Sequence, residues 1–273
     1  MTSLNNIISD QEAQVSCFQE WMKLQQQELL ELIHALHNYS SSASSDFKLK
    51  QLIEKSIKHF QDYTDTRRHF GRNDVNAYLA PTWCTTLESS MLWISGCRPC
   101  SYIRLIYAMS GKEFESHLSN YLQGKRSGNL CELSSVQMNS IDELQRKTIR
   151  KENRLSSKLA SLQEEIADEP FAIIANEVGN LGEICCEAEK ALDTHAERLM
   201  NVLEEAEKLR MDTLKELVMN ILSPFQAVDF LVAGKKLHLC INAWGKTRDQ
   251  QHGRNRETTD ERSSNPTVSS NLL

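Results

Sequence analysis

Apolar residues recur along most of the chain at steps of three and four, the period of a helix with one buried face. The first stripe runs Val15, Phe18, Met22, Leu29, Leu32 and Leu36, with Gln25 as a polar member. Trp21, Leu24 and Ile33 widen it, so a whole face must pack. The Ser-rich run 40–46 ends this helix and offers a cap to the next, which carries Leu49, Leu52, Ile53, Ile57, Phe60 and Tyr63 before a polar run from Thr64 to Arg68. After Pro81 a third block repeats Trp83, Leu87, Met91 and Ile94. Gly96 and Pro99 then bracket a corner, because Gly permits positive φ and Pro suits a helix's first turn. Ile103, Ile106 and Tyr107 continue to Ser110-Gly111, where a C-cap is expected. A short piece with Phe114, Leu118 and Tyr121 leads to a loop at 124–128.

The second half is more regular. Ile141, Leu144, Leu155, Leu159 and Leu162 predict a helix that Asp168-Glu169-Pro170 stops. A seam then runs Ile174, Val178, Leu181, Cys185, Ala188, Leu192, His195, Leu199, Val202, Ala206, Leu209. Steps this sustained predict a long helix packed antiparallel on the one before Pro170. Ser223-Pro224 opens a last helix with Phe225, Phe230, Leu231, Leu237, Leu239 and Trp244. The expected architecture is all-α: a single domain of long antiparallel helices over 14–248, after a flexible start at 1–13 and before a polar, disordered tail at 249–273.

Composition narrows this reading. In 273 residues Gly is 10 and Pro is 5, too few for the many tight turns of a sandwich or barrel. A net charge of −6 disfavours a general electrostatic grip on nucleic acid or an anionic membrane. No run approaches the roughly 18 apolar residues of a spanning helix, and the start has no secretory pattern. The eight cysteines are therefore expected reduced, in the nucleus or cytoplasm.

Chemical motifs fail one after another. Gly245-Lys246-Thr247 imitates the end of a phosphate loop, but Cys240 stands where its first Gly belongs. Cys97-Arg98-Pro99-Cys100 lacks the second pair of a zinc site and the βαβ setting of a redox motif, so packed small residues explain it. His195 on the seam reads as a core histidine, and carboxylate pairs such as Glu204-Glu205 as solvated faces. No metal site and no enzyme are expected.

Three segments carry a family resemblance. They are Phe18-Gln19-Glu20-Trp21 with its Leu-rich helix, Trp83 through Trp93-Ile94-Ser95-Gly96-Cys97-Arg98-Pro99, and Ser223-Pro224-Phe225 through His238 to Trp244-Gly245. Together they resemble the plant Delay of Germination family, whose domain also forms the C-terminal part of TGA-type bZIP transcription factors. The resemblance implies a non-enzymatic regulator of seed dormancy, abscisic acid and stress responses. Its implied partners are type 2C protein phosphatases, bound partly through the N-terminal region, and its implied cofactor is haem held by histidines of the last helix. On that basis Phe18 and Trp21 are candidate partner-binding residues, with packing on the bundle as their alternative. Trp83, Trp93, Gly96, Arg98, Pro99 and Trp244 are expected to be structural, with Trp83, Trp93 and Pro99 buried and Arg98 paired to a carboxylate or helix-end carbonyls. His238 is the candidate haem ligand; the second position, one turn on, is Asn242. Residues 1–47 hold one Lys and no Arg, which does not favour direct DNA contact. A transcription regulator, as in the bZIP relatives, and a small-ligand sensor are the rival readings.

Overall fold

The computed structural model describes residues 2–122, 130–177 and 185–254, and among them all regular structure is helical. The helices are α1 (Thr2–His37), α2 (Ala43–Asn73), α3 (Val75–Leu79), α4 (Thr86–Met91), α5 (Cys100–Leu122), α6 (Ser135–Glu164), α7 (Phe171–Glu177), α8 (Cys186–Lys215) and α9 (Pro224–Gln251). Local chemistry sets the starts. Ser42 caps α2 by accepting from the Ser45 N–H. Thr85/Glu88, Ser134/Gln137 and Ser223/Gln226 form reciprocal capping boxes on α4, α6 and α9, the last with Pro224 in its first turn.

Two cores share α8. Leu32, Ile53, Ile57, Ile103, Ile106, Leu217, Val228 and Phe230 bring α1, α2, α5 and α9 together at its C-terminal end. Nearer its middle, Leu199, Leu203 and Leu209 pack with Leu155 and Leu162 of α6 and with Val75 and Tyr78 of α3. Each fully buried Leu or Ile contributes roughly 1.5–3 kcal/mol of transfer free energy. The pairs Lys158–Glu205 and Glu165–Arg198 climb α6 while descending α8, so the two helices are antiparallel as the seam predicts.

Several boundaries differ from the pattern reading. Rather than forming a flexible lead, residues 2–13 belong to α1. The polar run 64–68 stays inside α2, because Thr64 is buried and Arg67 lies against the Tyr63 and Tyr78 rings. Gly111 lies within α5 and caps nothing. The seam is not one helix: α7 ends at Glu177 and α8 starts at Cys186, while Val178 and Leu181 lie outside the described residues. Its His195 stands edge-on to Phe171, between α7 and α8. At the other end α9 passes 248 to reach Gln251, since buried Asp249 accepts from the Thr86 N–H. The remaining tail, 255–273, and the loop at 124–128 lie outside the described residues.

Candidate functional site

The corner that joins α4 to α5 is built on charge. Trp93 and Gly96 exchange backbone hydrogen bonds across a two-residue turn, with Ile94 at φ 46° and Ser95 at φ 61°. A left-handed conformation is costly for any side chain, and most of all for β-branched Ile. The turn persists because two arginines hold its carbonyls. Arg210, 2% exposed, donates to the carbonyls of Trp93, Ile94 (2.7 Å) and Cys97 (2.7 Å). Arg67 donates to the Ser95 carbonyl at 2.7 Å. Glu207 faces both guanidiniums, at 3.0 Å from Arg210 and 3.8 Å from Arg67, and accepts from the Tyr78 hydroxyl.

Gly96 is required here for space rather than for positive φ. A Cβ at this position would stand 2.7 Å from Cζ of Arg210. Arg98 does find its carboxylate, Glu152 at 2.8 Å, which is 1% exposed and also accepts from the Cys100 N–H. Pro99 is buried, whereas Trp93 and Trp83 are half-buried, Trp93 donating its indole N–H to Ser156. Burial and the Glu152 carboxylate push the Cys100 thiol up to about 12, so this C-x-x-C holds no activated thiolate.

The seam between α1 and α9 is ionic as well. Trp21, 6% exposed, stacks on Tyr63 with ring centroids 4.3 Å apart, and so belongs to the core instead of forming an exposed anchor. Phe18 is half-buried beside it. One turn or two further along, buried Glu28 accepts from Lys235 at 2.6 Å and pairs with His59 at 2.7 Å. Gln25 accepts from the same ammonium at 3.0 Å. Burial pulls the Lys235 pKa down, and Glu28 opposes that shift.

The positions considered for haem are occupied by protein chemistry. Asn242 is buried and donates to both oxygens of Glu88, at 3.0 and 3.1 Å, while Glu88 completes the α4 capping box. That amide is a structural donor and does not stand in for an axial ligand, so the residues present do not fit two-residue ligation. His238 is half-buried, and its burial lowers its pKa. Among the described residues no group of three or more His, Cys, Asp or Glu is arranged to hold a metal ion. Trp244 is 56% exposed and lies outside the core; its neighbour Gly245 packs there instead, where a Cβ would fall on the Thr85 hydroxyl.

Pattern reasoning missed Arg67, Arg210, Glu207, Glu152, Glu88, Glu28 and Lys235, because a charge reads as a solvated face. A signal existed for two of them. Arg210 falls between Leu209 and Met211, and Lys235 inside the apolar run 230–241.

Comparison with known proteins gives these residues a context. Residues 28–108 match the DOG1 family model, described as seed dormancy control. The chain is 40% identical over 258 residues to Protein DOG1-like 1 of Arabidopsis thaliana, covering 87% of this chain and 90% of that one. It is 37% identical over 249 residues to Protein DOG1-like 3 of the same plant, covering 88% and 86%. Similarity to Transcription factor TGA1 is lower, 24% over 213 residues, covering 78% of this chain and 50% of that protein. Of these three relatives, the last is named as a transcription factor. On identity and coverage together, the chain belongs to the DOG1 family of seed dormancy control.

Proposed function

We propose that the protein is a non-enzymatic plant regulator of seed dormancy and the abscisic acid response, acting in the nucleus or cytoplasm by binding type 2C protein phosphatases. The observation that carries this reading is the similarity over nearly the whole length of the DOG1-like proteins. The N-terminal helix is the surface we assign to the partner. Trp21 is committed to the core, so the contact falls to the outward face that includes Gln19, Glu20 and Lys23, all exposed. Charges on such a face act through complementarity with the partner, so reversing them sets like charges against each other. The test is surface plasmon resonance with a purified abscisic-acid-pathway phosphatase. Glu20→Arg with Lys23→Glu is expected to weaken binding about tenfold, a loss of roughly 1.4 kcal/mol, at unchanged helicity and melting temperature. Undiminished binding, or none by the parent chain, overturns the assignment.

A transcriptional role is the second reading, favoured by the TGA1 similarity. It is separated by a mobility shift on TGACG-type duplexes at physiological salt. With a net charge of −6 the isolated chain is expected to give no sequence-dependent complex.

A further inference from the structure

Lys55, Arg72, Lys158 and Arg198 each bridge to an acid on a neighbouring element. The outward face of α6 is different. Arg146, Lys147, Arg150, Lys151 and Arg154 are all exposed there, at steps that put them on one side of the helix. Lys147 pairs with Glu143 on its own helix, and Arg150 donates to the Arg146 carbonyl. Among the described residues Arg146, Arg150, Lys151 and Arg154 take part in no ion pair. Cations four residues apart repel. Arg146 with Arg150, Arg150 with Arg154, and Lys147 with Lys151 therefore each cost the helix stability while no anion covers them.

The face extends onto α5. Tyr107 donates to Asp142 and the Cys100 N–H donates to Glu152, so α5 and α6 lie side by side and antiparallel. That pairing sets Arg104, also exposed, level with Arg146. Ile149, 40% exposed, adds an apolar side chain one turn from Arg146. Charge and dimensions then narrow the partner. Six cations against Asp142 and Glu143 give this patch +4 on a chain of −6, so the remainder carries −10. A nucleic acid or an anionic bilayer reaches far beyond the Debye length of roughly 8 Å and meets that remainder. A single phosphate is a point charge and needs converging donors, whereas Arg146, Arg150 and Arg154 are spread at steps of about 6 Å. Carboxylates one helical turn apart match that spacing, and each guanidinium offers its carboxylate a planar fork.

We propose that the α5–α6 face docks an acidic amphipathic helix of a partner protein, its carboxylates at four-residue steps along the arginine row and an apolar side chain against Ile149. This surface is separate from the α1 face assigned to the phosphatase, and the inference stands without that assignment.

The test is fluorescence anisotropy with the full chain at physiological salt. The probe is a labelled Ala-rich peptide of about 18 residues, long enough to hold a helix, with Glu at four-residue steps beside Leu. The same peptide with Gln for Glu is expected to bind about tenfold more weakly. Arg146→Gln joined to Arg150→Gln should weaken the Glu peptide about tenfold. It should also hold or raise the melting temperature, since it removes two of the like-charged pairs. Lys48→Gln joined to Lys50→Gln changes net charge equally at exposed positions of α2 and should leave binding as it was. A short DNA duplex and phosphatidylserine vesicles serve as competitors, and neither should displace the peptide. No binding of the Glu peptide, equal binding of the Gln peptide, or equal loss in the α2 variant overturns the proposal. Displacement by duplex or vesicles overturns it too, as does a site lost at high protein concentration, which assigns the face to a second copy of this chain.

Discussion

The two cores each bury a cation, and they neutralise it differently. Lys235 meets a side-chain partner, Glu28, and a second acceptor on Gln25. Arg210 meets mostly backbone: three carbonyls of one turn, with Glu207 at its flank. A side-chain pair can be exchanged as a unit for apolar residues at little net cost, because both charges leave together. Carbonyl oxygens cannot be substituted away. The Arg210 site is therefore fixed by the fold, and the turn it holds depends on it. The Lys235 site is replaceable in principle and sets how α1 lies on α9.

Breaking this contrast gives the largest effects first. Arg210→Met takes the donor from the Ile94 and Cys97 carbonyls, leaves Trp93 only its bond from the Gly96 N–H, and releases a turn with two left-handed residues. It is expected to lose about 3–5 kcal/mol in urea unfolding, and Arg210→Lys should not restore it, since a point ammonium cannot fan out to three oxygens. Lys235→Met leaves Glu28 with only His59 and should cost about 2–3 kcal/mol by the same measurement. Gly96→Ala presses a methyl into the Arg210 guanidinium and should cost about 1–3 kcal/mol. Trp244→Ala, at an exposed position, should stay within about 0.5 kcal/mol, whereas the core residue Trp21→Ala should lose about 3–5 kcal/mol.

A pH titration sharpens the comparison further. His238 lies near Glu88, Lys235 and Arg67, and burial holds its pKa below the ordinary 6.5. The unfolded chain then binds a proton that the folded chain refuses, so stability falls as pH drops below 6.5 and levels off once the folded pKa is passed. His238→Gln is expected to flatten that part of the stability profile, read as denaturant midpoint against pH.

The contrast also explains what the sequence disclosed. The α6–α8 pairing and the core it shares with α3 were legible because Leu155, Leu162, Leu199, Val202 and Leu209 keep helical spacing along elements buried on one face. Arg98 and Pro99 were legible from the family motif. Gly96 was placed at the right corner for the wrong reason: positive φ falls on Ile94 and Ser95, and Gly96 makes room for a side chain 114 positions later in the chain. No local pattern encodes such a contact. Trp21 takes the packing alternative, and Trp244, expected to be structural, is exposed, for a related reason. An aromatic residue on a stripe says only that one face is apolar, and the neighbouring element decides whether that face is covered.

The most direct test of the account compares two rescues in urea unfolding. Lys235→Met joined to Glu28→Leu should recover more than half of what Lys235→Met loses, the remainder being the Gln25 amide and the His59 ring left without these partners. Arg210→Met joined to Glu207→Leu should recover little, because the Ile94 and Cys97 carbonyls still lack their donor. Equal recovery in the two double variants, or full recovery at Arg210, would contradict the claim that this corner is held through its backbone.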